Sequence, residues 1–476
     1  MDTRTTHAGV AAAAEPLADS TLGSLREVFR GELIRHADPG YDEARQVWNG
    51  TMDRRPALVA RCTGTADVVA AVRFARTSGL EVAVRGGGHS VAGHSTLDDG
   101  LVIDLGPMSG VRVDPDARRA WIQGGARLGQ LDHETALHGL ATTAGMVSHT
   151  GVGGLTLGGG YGFLARTHGL ACDNLVSAEV VTADGEVLTA SETRNEDLFW
   201  GLRGGGGNFG VVTGFEFRLH PVPPTVATGD LFFDLADGVG PLRAMLDFAP
   251  QAPEALTLSA AVIDVREQWG VPGMPVGAPV VNIFWAYLGS LAEGRRVAEP
   301  LYAAVSPRAE MADEMSYLRL QGLADEGQRH RQRRYWKGSF APILSDAGLE
   351  AFIARGCGAG DPPPLWAGEL VSLGGAIARV GEDDTAYSGR DAAFDFLSMS
   401  SWDDPAEDEV RLAGARHYWE TMSPFISPRA YVNSLEDEGT ARVRDAYGAS
   451  KYDRLVALKR KYDPDNVFHR NQNIRP

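Results

Sequence analysis

Cysteine is scarce. The three in 476 residues, Cys62, Cys172 and Cys357, are scattered and show no C-x-x-C spacing. That excludes a disulfide framework and a zinc site, and it leaves buried thiols as the expected state. Basic residues are in deficit too: 45 Lys and Arg stand against 62 Asp and Glu, a formal charge of −17. Nucleic acids and anionic membranes select positive surfaces, so neither is an expected partner. No stretch approaches the ~18 apolar residues of a membrane span. The opening "MDTRTTHAGVAAAAEPLADS" lacks the basic flank and apolar core of a signal peptide. Residues 1–20 read as a mobile tail, and the protein as cytoplasmic. A P-loop is excluded because no G-K-[ST] occurs, and no internal repeat is found.

Glycine, by contrast, is abundant: 58 residues, many of them clustered. A chain of this length predicts two domains. Thr65 to Gly79 reads as a helix, with Asp67 in its first turn and Gly79 past its end. "LEVAV" reads as a strand entering the glycines of "RGGGHS". Asn174 to Ser191 reads as a hairpin turning at Asp184-Gly185. "HPVPPT" marks a boundary near residue 223. Beyond it, "AEMADEMSYLRLQGLADEGQRHRQRRYW" is helix-like and "APVVNIFWAYL" strand-like. From about residue 430 the pattern is strand ("AYVNSLEDEG"), helix and tail. Mixed elements without regular βα alternation predict an α+β fold.

Three glycine clusters stand out: "RGGGHS" from Arg85, "GVGGLTLGGGYG" from Gly151 and "RGGGGNFG" from Arg203. The third matches G-x-G-x-x-G, but helix-like residues precede it and strand-like residues follow. That order is the reverse of a dinucleotide-binding turn, and a Rossmann site is rejected. What remains is a nest of bare amides around an anion such as a pyrophosphate. A lone cluster would equally be a tight turn or close strand packing. Three together point to one long diphosphate ligand lying across several loops.

These residues carry a resemblance. "VRGGGHSVAGHS", "QGGARLGQL", "SHTGVGGLTLGGGYGFLARTHGLACDNLVSAEVVTADGEVLTAS", "DLFWGLRGGGGNFGVVTGFEF" and the terminal "NVFHRNQNI" closely resemble the berberine-bridge-enzyme-like FAD-linked oxidases of the PCMH-type, or vanillyl-alcohol-oxidase, superfamily. The resemblance implies a two-domain α+β flavoprotein. Residues 21–222, with a core at 56–222, and residues 430–476 would bind FAD. Residues 223–429 would form a substrate domain, an antiparallel sheet backed by helices. His89 would be bonded covalently to the 8α-methyl carbon of FAD. Arg85, Gly86, Gly87, Gly88 and Ser90 would surround that attachment. Ser148, His149, Gly151, Gly153, Gly154, Gly158, Gly159, Gly160 and Tyr161 would border the flavin and its diphosphate. Gly210, Val211 and Val212 would lie along it, and Asn471 and Asn473 would close the site. Many members carry a second link from a cysteine; Val147 holds that place here, so a single histidyl link is expected. No metal is expected.

On the substrate side, Thr150 matches the family position that governs oxygen approach, which implies an oxidase releasing H2O2; its alternative is simple packing. Tyr431 and Asn433 match a family motif near the flavin; a satisfied core tyrosine is the alternative for Tyr431. Arg379 stands where plant members place a carboxylate or glutamine, on what reads as a strand. Glu369 is a second candidate base, because a carboxylate amid apolar strand residues needs a reason; a solvated strand end is its alternative. Trp336, Tyr335 and Trp366 are weaker pocket candidates. The expected partners are a small organic molecule and O2, and the expected state is monomer or homodimer. The leading expectation is an oxidase of secondary metabolites. A carbohydrate oxidase making a lactone and a non-catalytic flavin-holding protein are the alternatives.

Overall fold

In a computed structural model the described residues are 19–355 and 366–476. The expected tail falls outside them up to residue 18, and Cys357 falls outside as well; Asp19 already opens a helix, Asp19–Val28. Cys62 and Cys172 are free and buried.

Early in the chain a four-stranded sheet runs in the order Glu32–Ile34, Leu58–Arg61, Leu101–Asp104, Val82–Arg85. Its last three strands are parallel. The helix Thr65–Ser78 crosses between two of them and buries Val68, Ala71, Val72 and Ala75. Its start is fixed by the Asp67 carboxylate, which accepts from the Arg30 and Thr63 amides, and its end by Gly79 at φ 66°. A five-stranded antiparallel sheet follows, including the predicted hairpin Leu175–Val181 and Val187–Ser191.

Between Val226 and Trp402 the described residues form seven strands of one antiparallel sheet. Strand alternation gives it two different faces. Gly368, Leu370, Phe394 and Phe396 pack beneath the helices Val239–Phe248, Asp346–Ala354 and Asp408–Met422, where Tyr418 and Phe352 are fully buried. Glu369, Val371, Leu397, Met399 and Trp336 point the opposite way, toward the glycine loops. The end of the chain returns to the first layers. Tyr447, Leu455 and Ile474 pack with Phe199 and Phe209. The fully buried Lys459 ammonium donates to the Asp463 carboxylate and to the carbonyls of Asn208 and Phe468.

Three sequence expectations differ from the structure. The helix-like run after residue 308 is a strand, Ala309–Met315, a short helix, Tyr317–Gln321, and another strand, Arg333–Ala341. Edge-strand charges produced the helical pattern. The Tyr431 segment is a single 3-10 turn, Val432–Ser434, not a strand. "GGAIARV" holds a short helix, Ala376–Arg379, not a strand. No helix among the described residues is long and apolar enough to cross a membrane.

Asp132 supplies a stability test. Its side chain is buried against Gln321, one carboxylate oxygen lacks a partner, and burial raises its pKa to about 7. A raised carboxylate pKa makes the fold lose stability as pH climbs from the unfolded value, about 3.9, through the folded one. Asp132→Asn should therefore raise stability at pH 8 by about 1–3 kcal/mol. In thermal unfolding the gain should shrink toward zero near pH 4.

Candidate functional site

Between the glycine loops and the inward face of the seven-stranded sheet lies a cavity of about 500 Å3. Backbone shapes one wall. A Cβ on Gly87 would land on the Gly151 amide nitrogen, and one on Gly151 would land on the Gly87 nitrogen. The loops therefore cross where only glycine fits. Around the crossing, Gly86, Gly88, Ser90, Thr150, Gly153 and Gly154 line the cavity. Gly206, Gly207, Gly210 and Val212 extend that wall, and Asn433, Asn471 and Gln472 reach it from the returning C-terminal segment.

His89 stands at the crossing. Its ring stacks on Trp48 with centroids 4.6 Å apart and planes 17° from parallel. The Arg334 guanidinium lies 3.7 Å from the Trp48 ring centre. Nε2 of His89 is 2.7 Å from His149 Nδ1, and Nδ1 is 3.3 Å from Thr150 Oγ1. Burial holds His89 well below its usual pKa, and the nearby His149, His330 and Arg334 add to the shift, so the imidazole is neutral at pH 7. The same burial lowers Arg334 to about 9. Ring nitrogens of His89, His149 and His330 all lie within 4.8 Å of one another.

Across the cavity, Tyr431 Oη accepts hydrogen bonds from the Gly160 amide, 3.0 Å, and from Asn433 Nδ2, 2.8 Å. Both leave its own proton free to donate. Tyr161 donates to Asp395 at 2.7 Å. Burial raises Glu369 and Asp395 to about 7 each. Asp395 escaped the sequence reading. It sits between Phe394 and Phe396 on the strand Phe394–Trp402, so the reasoning applied to Glu369 would have found it.

Other candidates lie elsewhere. Arg85 turns away from the cavity into a buried ion pair with Asp104, 2.9 Å. Arg379 does not reach the cavity: its short helix leaves it exposed and paired with Glu254. The Ser148 amide donates to Asp325, 2.8 Å. Val211 points into the first layer's core, because strand alternation sends only Val212 to the cavity. Gly158 and Gly159 abut Asn433 and Tyr387. Asn473 Oδ1 is buried without a partner. Trp336 lines the cavity, Tyr335 lies on the opposite side of its strand, and Trp366 opens the strand Trp366–Ser372.

The cavity suits a long, partly polar ligand. His94 Nε2, Ser95 Oγ and Asn471 Oδ1 belong to residues that line it and are buried with no protein partner. Such atoms cost stability unless a ligand or water pairs them. At Gly154 and Gly207 a Cβ would meet nothing within 4 Å, so bare backbone faces open space. Amides, unpaired polar atoms and an apolar opposite wall together fit FAD. The fold and site define a flavin-dependent oxidoreductase.

Comparisons agree. Residues 56–191 match the FAD binding domain family, and residues 430–475 the family described as berberine and berberine like. (R)-6-hydroxynicotine oxidase of Paenarthrobacter nicotinovorans is 30% identical over 94% of this chain and 97% of its own. Glucooligosaccharide oxidase of Sarocladium strictum is 30% identical over 94% of this chain and 92% of its own. The solved glucooligosaccharide oxidase of Acremonium strictum, described with a 6-S-cysteinyl, 8α-N1-histidyl FAD, superposes with a TM-score of 0.85 at 27% identity. That match covers 96% of this chain and 99% of the other. The chain belongs to the berberine-bridge-enzyme-like family of FAD-linked oxidoreductases.

Two glycines separate a folding defect from a binding defect. Gly87→Ala should disrupt the loop crossing, lower Tm and abolish FAD retention. Gly207→Ala should leave Tm of the apoprotein within about 0.5 kcal/mol equivalent yet weaken FAD binding, read by flavin fluorescence titration.

Proposed function

We propose that the protein is an oxidase of a small, largely apolar alcohol of the polyketide or alkaloid type, with FAD attached through His89 alone. The observation that carries this reading is Glu369, a carboxyl with a near-neutral pKa, set among Val371, Leu397 and Met399 on the cavity wall. Bound FAD supplies the hydride acceptor, and O2 takes the electrons onward as H2O2.

The chain's own groups divide the remaining work. Residues 21–222 and 430–476 hold the cofactor, and residues 223–429 hold the substrate. Val371, Leu397, Met399 and Trp336 exclude water and favour an apolar substrate. Glu369, when ionised, takes the substrate hydroxyl proton. Tyr431, braced by Gly160 and Asn433, orients that hydroxyl by donating to it. Thr150 leaves room for oxygen beside His89. Val147 offers no sulfur for a second link, unlike the doubly linked relative.

A lactone-forming carbohydrate oxidase is the second reading, favoured by the 30% identity to a glucooligosaccharide oxidase. The largely apolar wall of Val371, Leu397, Met399 and Trp336 speaks against it, because oligosaccharides select many hydrogen-bonding groups along their length. Peroxide release measured across small aromatic alcohols and oligosaccharides separates the two. No peroxide with any substrate would favour a non-catalytic flavin-holding protein.

A base with a pKa near 7 must be ionised to act. kcat/KM should therefore rise from pH 6 to pH 8, and Glu369→Gln should lose that rise along with about 10²-fold in rate. An unchanged pH profile in the variant would exclude Glu369. In acid-precipitated wild type the yellow colour should stay in the pellet; in His89→Ala it should move to the supernatant.

A further inference from the structure

Attachment of FAD to an imidazole needs a ring nitrogen with a free lone pair, and a place for the proton on the other nitrogen. His89 lines the cavity with Nδ1 3.3 Å from Thr150 Oγ1, a neighbour on the same wall, while Nε2 lies 2.7 Å from His149 Nδ1. Two neutral imidazoles at that distance share one proton. If Nε2 of His89 donates to His149 Nδ1, Nδ1 carries the lone pair, met only by the rotatable Thr150 hydroxyl at 3.3 Å. The opposite tautomer would put a proton there and block attack.

Trp48 limits rotation of the ring by stacking, and is itself held by the hydrogen bond from its Nε1 to the Gln328 carbonyl, 2.7 Å. His149 Nε2 is buried without a partner. The exposed His330 ring is 4.7 Å from that of His149, at the solvent end of the cluster. Arg127, Arg334 and Asp325 are the charged groups around His149.

We propose that His149 is the positioning residue for flavin attachment: it selects the reactive tautomer of His89 and takes the Nε2 proton as the bond forms, with His330 passing it to solvent. This rests on His89 being the attachment point. In the net reaction one C–H bond of the 8α-methyl group and the imidazole N–H bond break. A C–N bond forms between the methyl carbon and Nδ1. Two electrons and two protons pass to O2, which leaves as H2O2. Afterwards Nε2 carries only a lone pair, and the hydrogen bond reverses so that His149 donates.

The test uses the full chain, produced under riboflavin limitation and then given FAD. Flavin retained on a denaturing gel is followed over time, beside quenching of FAD fluorescence on binding. At FAD concentrations that saturate each protein by fluorescence quenching, His149→Ala should attach the flavin about 10²-fold more slowly than the wild type, and added imidazole should restore most of the rate. His149→Gln keeps an acceptor oxygen yet cannot take up a proton, and should stay slow. It carries the comparison if the alanine variant fails to fold. Attachment at the wild-type rate in either variant, or a slow alanine variant that imidazole does not rescue, overturns the inference. Flavin retained by His89→Ala, or never by the wild type, instead refutes the attachment point and removes the basis of this inference with it.

Discussion

Two loops meet backbone to backbone, Gly87 against Gly151, at a distance no side chain tolerates. Most of the site follows from that approach. It sets Thr150 beside Nδ1 of His89 and His149 beside Nε2. It lines one wall with peptide groups, as a ligand with a diphosphate requires. The entropy that glycine forfeits on folding is offset by packing elsewhere: Trp48 beneath His89, the parallel strands behind Arg85, and a C-terminal segment tied down by the buried Lys459.

The facing wall obeys a different rule. A strand alternates its side chains, so one sheet carries a helix-packed core on one face and a chemical surface on the other. The helix-packed face stabilises the sheet, and on the opposite face Val371, Leu397, Met399 and Trp336 dry the cavity. Dryness lifts Glu369 and Asp395 to about 7. The same burial keeps His89 neutral. One cause, desolvation, thus leaves a carboxyl of near-neutral pKa on one wall and a neutral imidazole on the other.

Much of this was legible from residues alone. The helix from Thr65, the hairpin at Asp184-Gly185 and the glycine loops carry local signals that tertiary contacts do not override. The antiparallel sheet backed by helices was implied by resemblance, and the structure has it. Arg379 and the Tyr431 segment were not legible, because short helical turns imitate strands over three or four residues. Arg85 misled for another reason: a charge next to a ligand-like loop also serves as the buried partner of Asp104. His330 and Trp48 gave no local signal at all. They reach His89 from sequence-distant segments, and only the folded chain brings them together.

The atom to which the flavin is bonded decides the chemistry of this site. Tryptic digestion releases residues 86–112 as one peptide holding both His89 and His94, and tandem mass spectrometry of that peptide locates the modification directly. A flavin mass on His89, with none on any peptide containing Val147 or Cys172, is the predicted result. A flavin on His94 or on a cysteine, or an unmodified 86–112 peptide from yellow protein, would contradict it.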